Sequence, residues 1–184
     1  MTMRYEMAEE LGQPRLDQAW AAYSAAFDEL RAATVERNVL YRHEFEAVMM
    51  DKRIEKHYAI DPDLDEVVAL ATFTNALEAL SWLSPEYFAA RWPDQFANKQ
   101  IWYLGFFAIH PDYRHSGIFE AVISQMWRPI QANGGIAALD ICGVNISLGL
   151  AGAISRTLKD LTPAMVTEEI DVQTYWAFSL DAPA

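Results

Sequence analysis

The sequence predicts an α/β fold in a single domain, residues 1–184. Three observations lead there. The 184 residues are 52% hydrophobic and 22% charged. That length and balance bury one sizeable core and fit neither a disordered nor a fibrous chain. Short apolar runs of strand character alternate with segments of helical periodicity along the chain, the signature of mixed α/β architecture. One run, Ile101–Ile109, is apolar almost throughout, as a strand covered on both faces reads.

The elements follow in order. Arg4–Ala8 reads as a first strand. Pro14 suits the first turn of a helix, where a missing N–H removes no bond. Leu16, Trp20, Tyr23, Phe27 and Leu30 then recur at steps of three and four, one apolar stripe. A second helix covers 39–50. Strands are expected over 57–60 and 67–74, separated by the Asp61-Pro62-Asp63 turn. Ser84 is placed to cap a helix opening with Pro85, and this helix ends near Trp92-Pro93, because a residue before proline avoids the helical region. After Ile101–Ile109 comes a polar turn, 110–117. The next helix carries Phe119, Val122, Ile123, Met126 and Ile130 on one face, with Pro129 kinking it and Asn133-Gly134-Gly135 closing it. The run 136–144 is a further apolar strand. Leu150, Ala151, Ile154, Leu158 and Leu161 mark a last helix that stops before Pro163, and 165–170 with 175–180 fit an antiparallel hairpin.

Charge and composition remove several classes of function. The formal net charge is −12, which argues against nucleic acid as a partner, since phosphate binding needs clustered Lys and Arg. It also disfavours an anionic membrane surface. No apolar run approaches the roughly 20 residues that span a bilayer. Residues 1–10 hold no apolar signal core, so a cytoplasmic location is expected. Cys142 is the one cysteine, so no internal disulfide forms; within its apolar run it reads as a small buried hydrophobe. His43, His57, His110 and His115 show no ligand spacing, so no metal site is expected.

The segment 106–126, a buried strand, a tight polar turn and a helix, carries the chemistry. A helix N-terminus leaves backbone N–H groups unpaired and bears partial positive charge. A turn that aims those groups at one point binds phosphate. Gly117 lets the backbone approach a ligand closely, and Arg114 adds a charge-assisted donor. On these grounds alone the segment is an anion site or an ordinary strand–helix connection with an exposed arginine.

The stretch Ile109-His110-Pro111-Asp112-Tyr113-Arg114-His115-Ser116-Gly117-Ile118 resembles the coenzyme A loop of the GNAT acyltransferase superfamily. That pattern runs apolar residue, any residue, Pro, two residues, Arg or Gln, then x-x-G-x-G or x-x-G-x-A. Its Pro, Arg and first Gly stand here as Pro111, Arg114 and Gly117. The order of elements matches over nearly the whole chain. The resemblance implies a mixed, mostly antiparallel sheet flanked by helices. It implies that backbone groups of Ala108 and Ile109 pair with the pantetheine arm, that N–H groups of Arg114, His115, Ser116, Gly117, Ile118 and Phe119 hold the pyrophosphate, and that Asn145 lies near the cofactor. Asn145 also reads as a helix N-cap. The donor implied is acetyl-CoA or another acyl-CoA, and the activity is direct transfer to a small amine in a ternary complex. The alternatives are a catalytically silent acyl-CoA-binding or regulatory module, and a GNAT-fold enzyme of other biosynthetic chemistry. Two positions depart from the pattern. Phe119 stands where the loop usually has a small residue, and its place on the apolar stripe predicts a ring turned into the core. Gly152 stands where a tyrosine often protonates the leaving thiolate.

Transfer to an amine needs a proton acceptor and donors for the carbonyl oxygen. Tyr103 is the only hydroxyl on Ile101–Ile109 and is a candidate acid or base, against simple packing. Glu44 and Glu46 on the second helix are candidates too, against a solvated face. His110 is expected to cap the strand end. The aromatic stretch of Trp82, Tyr87, Phe88, Trp92 and Phe96 lines an acceptor pocket, forms a lid, makes a satellite core or makes a homodimer contact. In the expected sheet, 106–109 runs parallel beside 138–142 and then diverges.

Overall fold

The structure is a computed structural model that describes residues 2–35 and 39–180. The strands are β1 (Arg4–Ala8), β2 (Glu55–Asp61), β3 (Glu66–Thr74), β4 (Ile101–Ile109) and β5 (Ile136–Leu139). The helices are α1 (Arg15–Phe27), α2 (Leu30–Ala33), α3 (Arg42–Met50), α4 (Pro85–Arg91), α5 (Pro93–Ala97), α6 (Ile118–Asn133), α7 (Gly143–Ser147) and α8 (Leu150–Leu161). The sheet order is β1-β2-β3-β4-β5. Neighbours are antiparallel as far as β4, and β5 lies parallel to β4. This is the mixed, mostly antiparallel sheet that was expected.

Both sheet faces are covered. On one, Ala19 and Tyr23 of α1 and Phe45 and Met49 of α3 pack on Tyr58, Ile60, Leu70 and Ala108. The stacked and edge-on contacts of Trp20, Tyr23, Phe45 and Phe106 explain the aromatic spacing of α1. On the other face, Ile118, Val122, Met126 and Ile130 of α6 pack on Ala59, Ala71, Phe73 and Trp102. Each large side chain so buried stabilises the fold by roughly 1.5–3 kcal/mol. A third cluster joins Leu77, Leu80 and Phe88 to Ile101, Tyr103 and Ala138. Val48 packs against both this cluster and the first.

Local signals explain most boundaries. Ser84 Oγ accepts the Tyr87 N–H and Pro85 opens α4. Glu44 accepts the Tyr41 N–H at 2.7 Å in a capping box that starts α3. Gly134 closes α6 at φ +60°, with the Gly135 N–H donating to Ile130 O. α6 runs unbroken through Pro129.

Three expectations are corrected. The helix placed over 39–50 starts only at Arg42. The strand placed over 136–144 ends at Leu139, because Asp140 and Gly143 interrupt the apolar run and suit a ladder poorly. The hairpin over 165–170 and 175–180 does not form; no strand follows α8 among the described residues. A two-stranded hairpin without a sheet to join is marginal, and here Glu168 is drawn to Arg91 while Ile170 O accepts the Tyr87 hydroxyl.

Candidate functional site

The site begins with a bulge. β4 pairs with β3 as Phe73↔Leu104 and then Thr72↔Phe106, so Gly105 is the extra residue. Thr72 Oγ1, buried, accepts the Phe106 N–H at 3.2 Å. A Cβ on Gly105 would lie 2.7 Å from that oxygen, so any larger residue would push Thr72 out of place. The bulge resets the alternation: Tyr103 and Phe106 both face the α1–α3–α4 side, while Leu104 and Phe107 both face α6.

The sheet splits where the bulge bends it. β4 and β5 are paired only from Ile101↔Ile136 to Leu104↔Leu139. The parallel pairing therefore lies earlier than the expected 106–109 beside 138–142, and 106–109 is the diverging arm. The His110 N–H donates to Val68 O at 2.9 Å and the Phe106 N–H points to Thr72. Alternation along an antiparallel ladder then turns the backbone of Ala108 toward β3 and that of Phe107 and Ile109 into the gap. Of the two residues expected to pair with a pantetheine arm, Ile109 turns its backbone to the gap and Ala108 turns toward β3, with Phe107 facing the gap beside Ile109.

The loop after β4 is held from below. Tyr113 donates to Asp61 Oδ2 at 2.6 Å, and Asp61, 2% exposed at the end of β2, also accepts the Asp63 N–H. The bond from Tyr113 holds the Asp61 carboxyl below the usual carboxylate range, and the same bond pushes the Tyr113 phenol up to about 12. Ser116 Oγ donates to Tyr113 O at 2.6 Å. His110 Nδ1 accepts the Asp112 N–H, capping a 3-10 turn over Pro111–Tyr113. Gly117, at φ +76°, turns the chain into α6. The first bond of that helix runs from the Ala121 N–H to Gly117 O, and no side chain caps the end. The N–H groups of Ile118, Phe119 and Glu120 thus have no partner among the described residues. Arg114, His115 and Ser116 are exposed beside them, and Arg114 has no ion pair among the described residues.

A groove of about 430 Å³ runs from this end between α6 and α8, lined by Phe119, Ser124, Ala153, Arg156 and Thr157 among others. Phe119 is not turned into the core as expected. The buried stripe of α6 starts one residue earlier, at Ile118, and a step of four from there leaves Phe119 beside it. Its ring is half-buried and meets Phe107 edge-on, centroids 5.4 Å apart. Gly152 faces Arg156, whose Nη1 lies 3.4 Å from where a Cβ would stand.

Asn145 is half-buried within α7 rather than at its cap; Cys142 holds the cap position and is half-buried, not buried. Tyr103, 4% exposed, donates to Asp140 Oδ1 at 2.7 Å. Glu46 pairs with Arg42, and Glu44 caps α3, so both serve the helix. Phe88, Trp92 and Phe96 form the satellite core, with Trp82 and Tyr87 exposed. Among the described residues no group of three His, Cys, Asp or Glu is placed to hold a metal ion, and no helix is long and apolar enough to cross a membrane. Sequence reasoning missed Gly105, Thr72, Asp61 and Asp140. An isolated glycine in an apolar strand is a bulge signal, and a lone carboxylate inside 136–144 marks where that strand stops.

Solved structures of similar shape are acetyltransferases. An aminoglycoside acetyltransferase from an uncultured soil metagenomic sample, in complex with trehalose, matches at a TM-score of 0.57 and 12% identity, over 96% of this chain and 97% of that one. An aminoglycoside antibiotic 6'-N-acetyltransferase from Acinetobacter baumannii matches at 0.54 and 14%, over 97% and 100%. AAC(6')-Iy, in complex with the bisubstrate analog CoA-S-monomethyl-acetylneamine, matches at 0.52 and 11%, over 95% and 99%. At these identities the likeness is one of fold, and the fold is that of the GNAT acetyltransferases. No protein-family model matches the sequence, and no curated protein matches it.

Proposed function

We propose that this chain is an acyl-CoA-dependent N-acyltransferase, with acetyl-CoA as donor and a small amine as acceptor. The observation that carries this reading is the α6 N-terminus. Its unpaired N–H groups open beside a split between two parallel strands, so anion donors and gap-facing backbone donors share one cleft. When bound, acyl-CoA supplies a thioester carbonyl. The N–H groups of Ile118, Phe119 and Glu120, with Arg114, suit a diphosphate. The backbone of Phe107 and Ile109 offers a strand edge to an amide-bearing arm and an N–H to a developing oxyanion. Phe119 leaves its N–H available while its ring leans on Phe107. The acyltransferases of similar fold support the same reading.

Gly152 favours a second reading, binding without turnover, since no side chain there reaches a leaving thiolate. One experiment separates the two: titration calorimetry with acetyl-CoA, followed by thiol release against a panel of primary amines. Turnover is expected. Arg114→Ala should weaken acetyl-CoA binding by about 1–3 kcal/mol, with affinity falling as salt is added. Unchanged affinity in Arg114→Ala would remove the loop from the site, and binding without thiol release would leave the second reading.

A further inference from the structure

We propose that Asp140, held by Tyr103, is the anchor and proton acceptor for a cationic acceptor amine; this rests on the acyl-transfer reading above. Asp140 is the first residue of the β5 arm beyond the last pair, Leu104↔Leu139. Continued by one step, the register sets it opposite Gly105, the bulge at which β4 bends away. The carboxylate therefore stands at the apex of the split, across from the arm whose Phe107 and Ile109 donors face the gap. Paired strands lie about 4.8 Å apart, so beyond the apex a primary amine fits between the arms.

The carboxylate is also fixed. Tyr103 is buried in the cluster of Ile101, Phe88 and Ala138, which leaves its ring no room to turn. Its hydroxyl holds Asp140 Oδ1 at 2.7 Å. Asp140 itself is exposed, and among the described residues it has no cationic partner. An exposed carboxylate with one oxygen fixed suits an ammonium group, in a chain whose net charge of −12 draws cations. A diamine fits better than a neutral-tailed amine, because its second charge gains from the same field.

The step balances as follows. The ammonium gives one proton to Asp140, which passes it to solvent. The freed nitrogen lone pair attacks the thioester carbon, forming the C–N bond. The C–S bond breaks, and the second N–H proton goes to the sulfur, giving amide and thiol. Asp140 is the catalytic residue here, and Tyr103 is a positioning residue.

The test uses the full chain with acetyl-CoA and 1,4-diaminobutane as probe. Asp140→Asn should raise KM for the diamine at least tenfold and lower kcat, while acetyl-CoA affinity by calorimetry stays within twofold of the parent. Tyr103→Phe should give a smaller loss. The double variant should lose no more than Asp140→Asn alone, because Tyr103 acts through the carboxylate. Asp140→Glu should restore part of the rate. A parent enzyme that binds acetyl-CoA but neither binds nor acetylates the diamine overturns the proposal, as does Asp140→Asn with unchanged diamine kinetics. Failure of the parent to bind acetyl-CoA would instead sink the underlying acyl-transfer reading.

Discussion

Lys56 has no exposed surface, yet no carboxylate pairs with its ammonium in the described residues. Nζ donates instead to the carbonyls of Glu9, Asp51 and Ile54 at 2.7, 2.7 and 2.6 Å. It ties the loop after β1 to the loop before β2, beneath the α3 end of the core. Asp51 O keeps the Ile54 N–H, so Lys56→Met keeps the bulk and strands the Glu9 and Ile54 carbonyls, each left at a cost of about 1–3 kcal/mol, and a loss of about 2 kcal/mol or more is expected in urea denaturation. Burial, the largest influence, pulls the Lys56 ammonium from 10.5 down to about 8. The folded value lies below the unfolded one. Between about pH 8 and 10.5 the unfolded chain still holds a proton that the folded chain has released, and stability gains with pH across that window. The gap between parent and Lys56→Met should widen there; a gap that narrows would falsify the assignment. None of this was legible beforehand, because the three acceptors meet only when β1, α3 and β2 come together. The same limit hid Asp140 and its bond to Tyr103, 37 residues away, although Tyr103 itself stood out as the one hydroxyl on its strand. Arg114 and Gly117 were legible because a loop leading into a helix brings them together within four residues.

At the scale of elements, the bulge in β4 makes the split. A methyl group on Gly105 would press on Thr72 Oγ1, so Gly105→Ala should lower stability by about 1–3 kcal/mol, as overpacking a tight site does. It should also weaken acetyl-CoA binding, since the arm beyond the bulge shifts. Thr72→Val keeps the shape and removes the acceptor of the Phe106 N–H, for a loss of about 1–3 kcal/mol. Full acetyl-CoA affinity in Gly105→Ala would show that the bulge does not set the cleft. On α6, Ile118→Ala should cost about 2–5 kcal/mol as a core truncation, and Phe119→Ala clearly less, because Phe119 lies beside the buried stripe rather than in it. The pattern foretold α1, α3, α4, α6, α8 and the first four strands, and it missed the short helices α2, α5 and α7. It misplaced the start of the α6 stripe by one residue, since Ile118 and Phe119 are both apolar and only packing chooses between them. It failed after β5, where an apolar run met no neighbouring strand.

At the scale of the whole molecule, the sheet of the described residues ends in two open edges, β1 and β5, and the β5 edge borders the split. β5 pairs with β4 on one side, and among the described residues nothing pairs with its other edge. Beyond α8 the chain carries a strand pattern with no sheet. Val172, Trp176, Phe178 and Leu180 stand on the even positions and are exposed, Trp176 by 78% and Phe178 by 92%. Residues 173, 175 and 179 between them are polar or amphipathic. An open strand edge and an unpaired amphipathic strand complement one another, and soluble proteins cover both. The tail is already pinned to α4 at Glu168 and Ile170, and its apolar face from Val172 onward stays exposed, so the partner we expect is a second copy of this chain. Sedimentation at tens of micromolar should therefore show a dimer. Removing residues from Val172 onward should give a monomer that keeps its acetyl-CoA affinity, because the cleft is built from β4, β5, α6 and α8 and takes nothing from the tail. Trp176→Lys should weaken the dimer without changing the fold, by setting a charge into a face that association must bury. A full-length chain that sediments as a monomer, or a truncated one that stays dimeric, would place the association elsewhere and leave the tail unexplained.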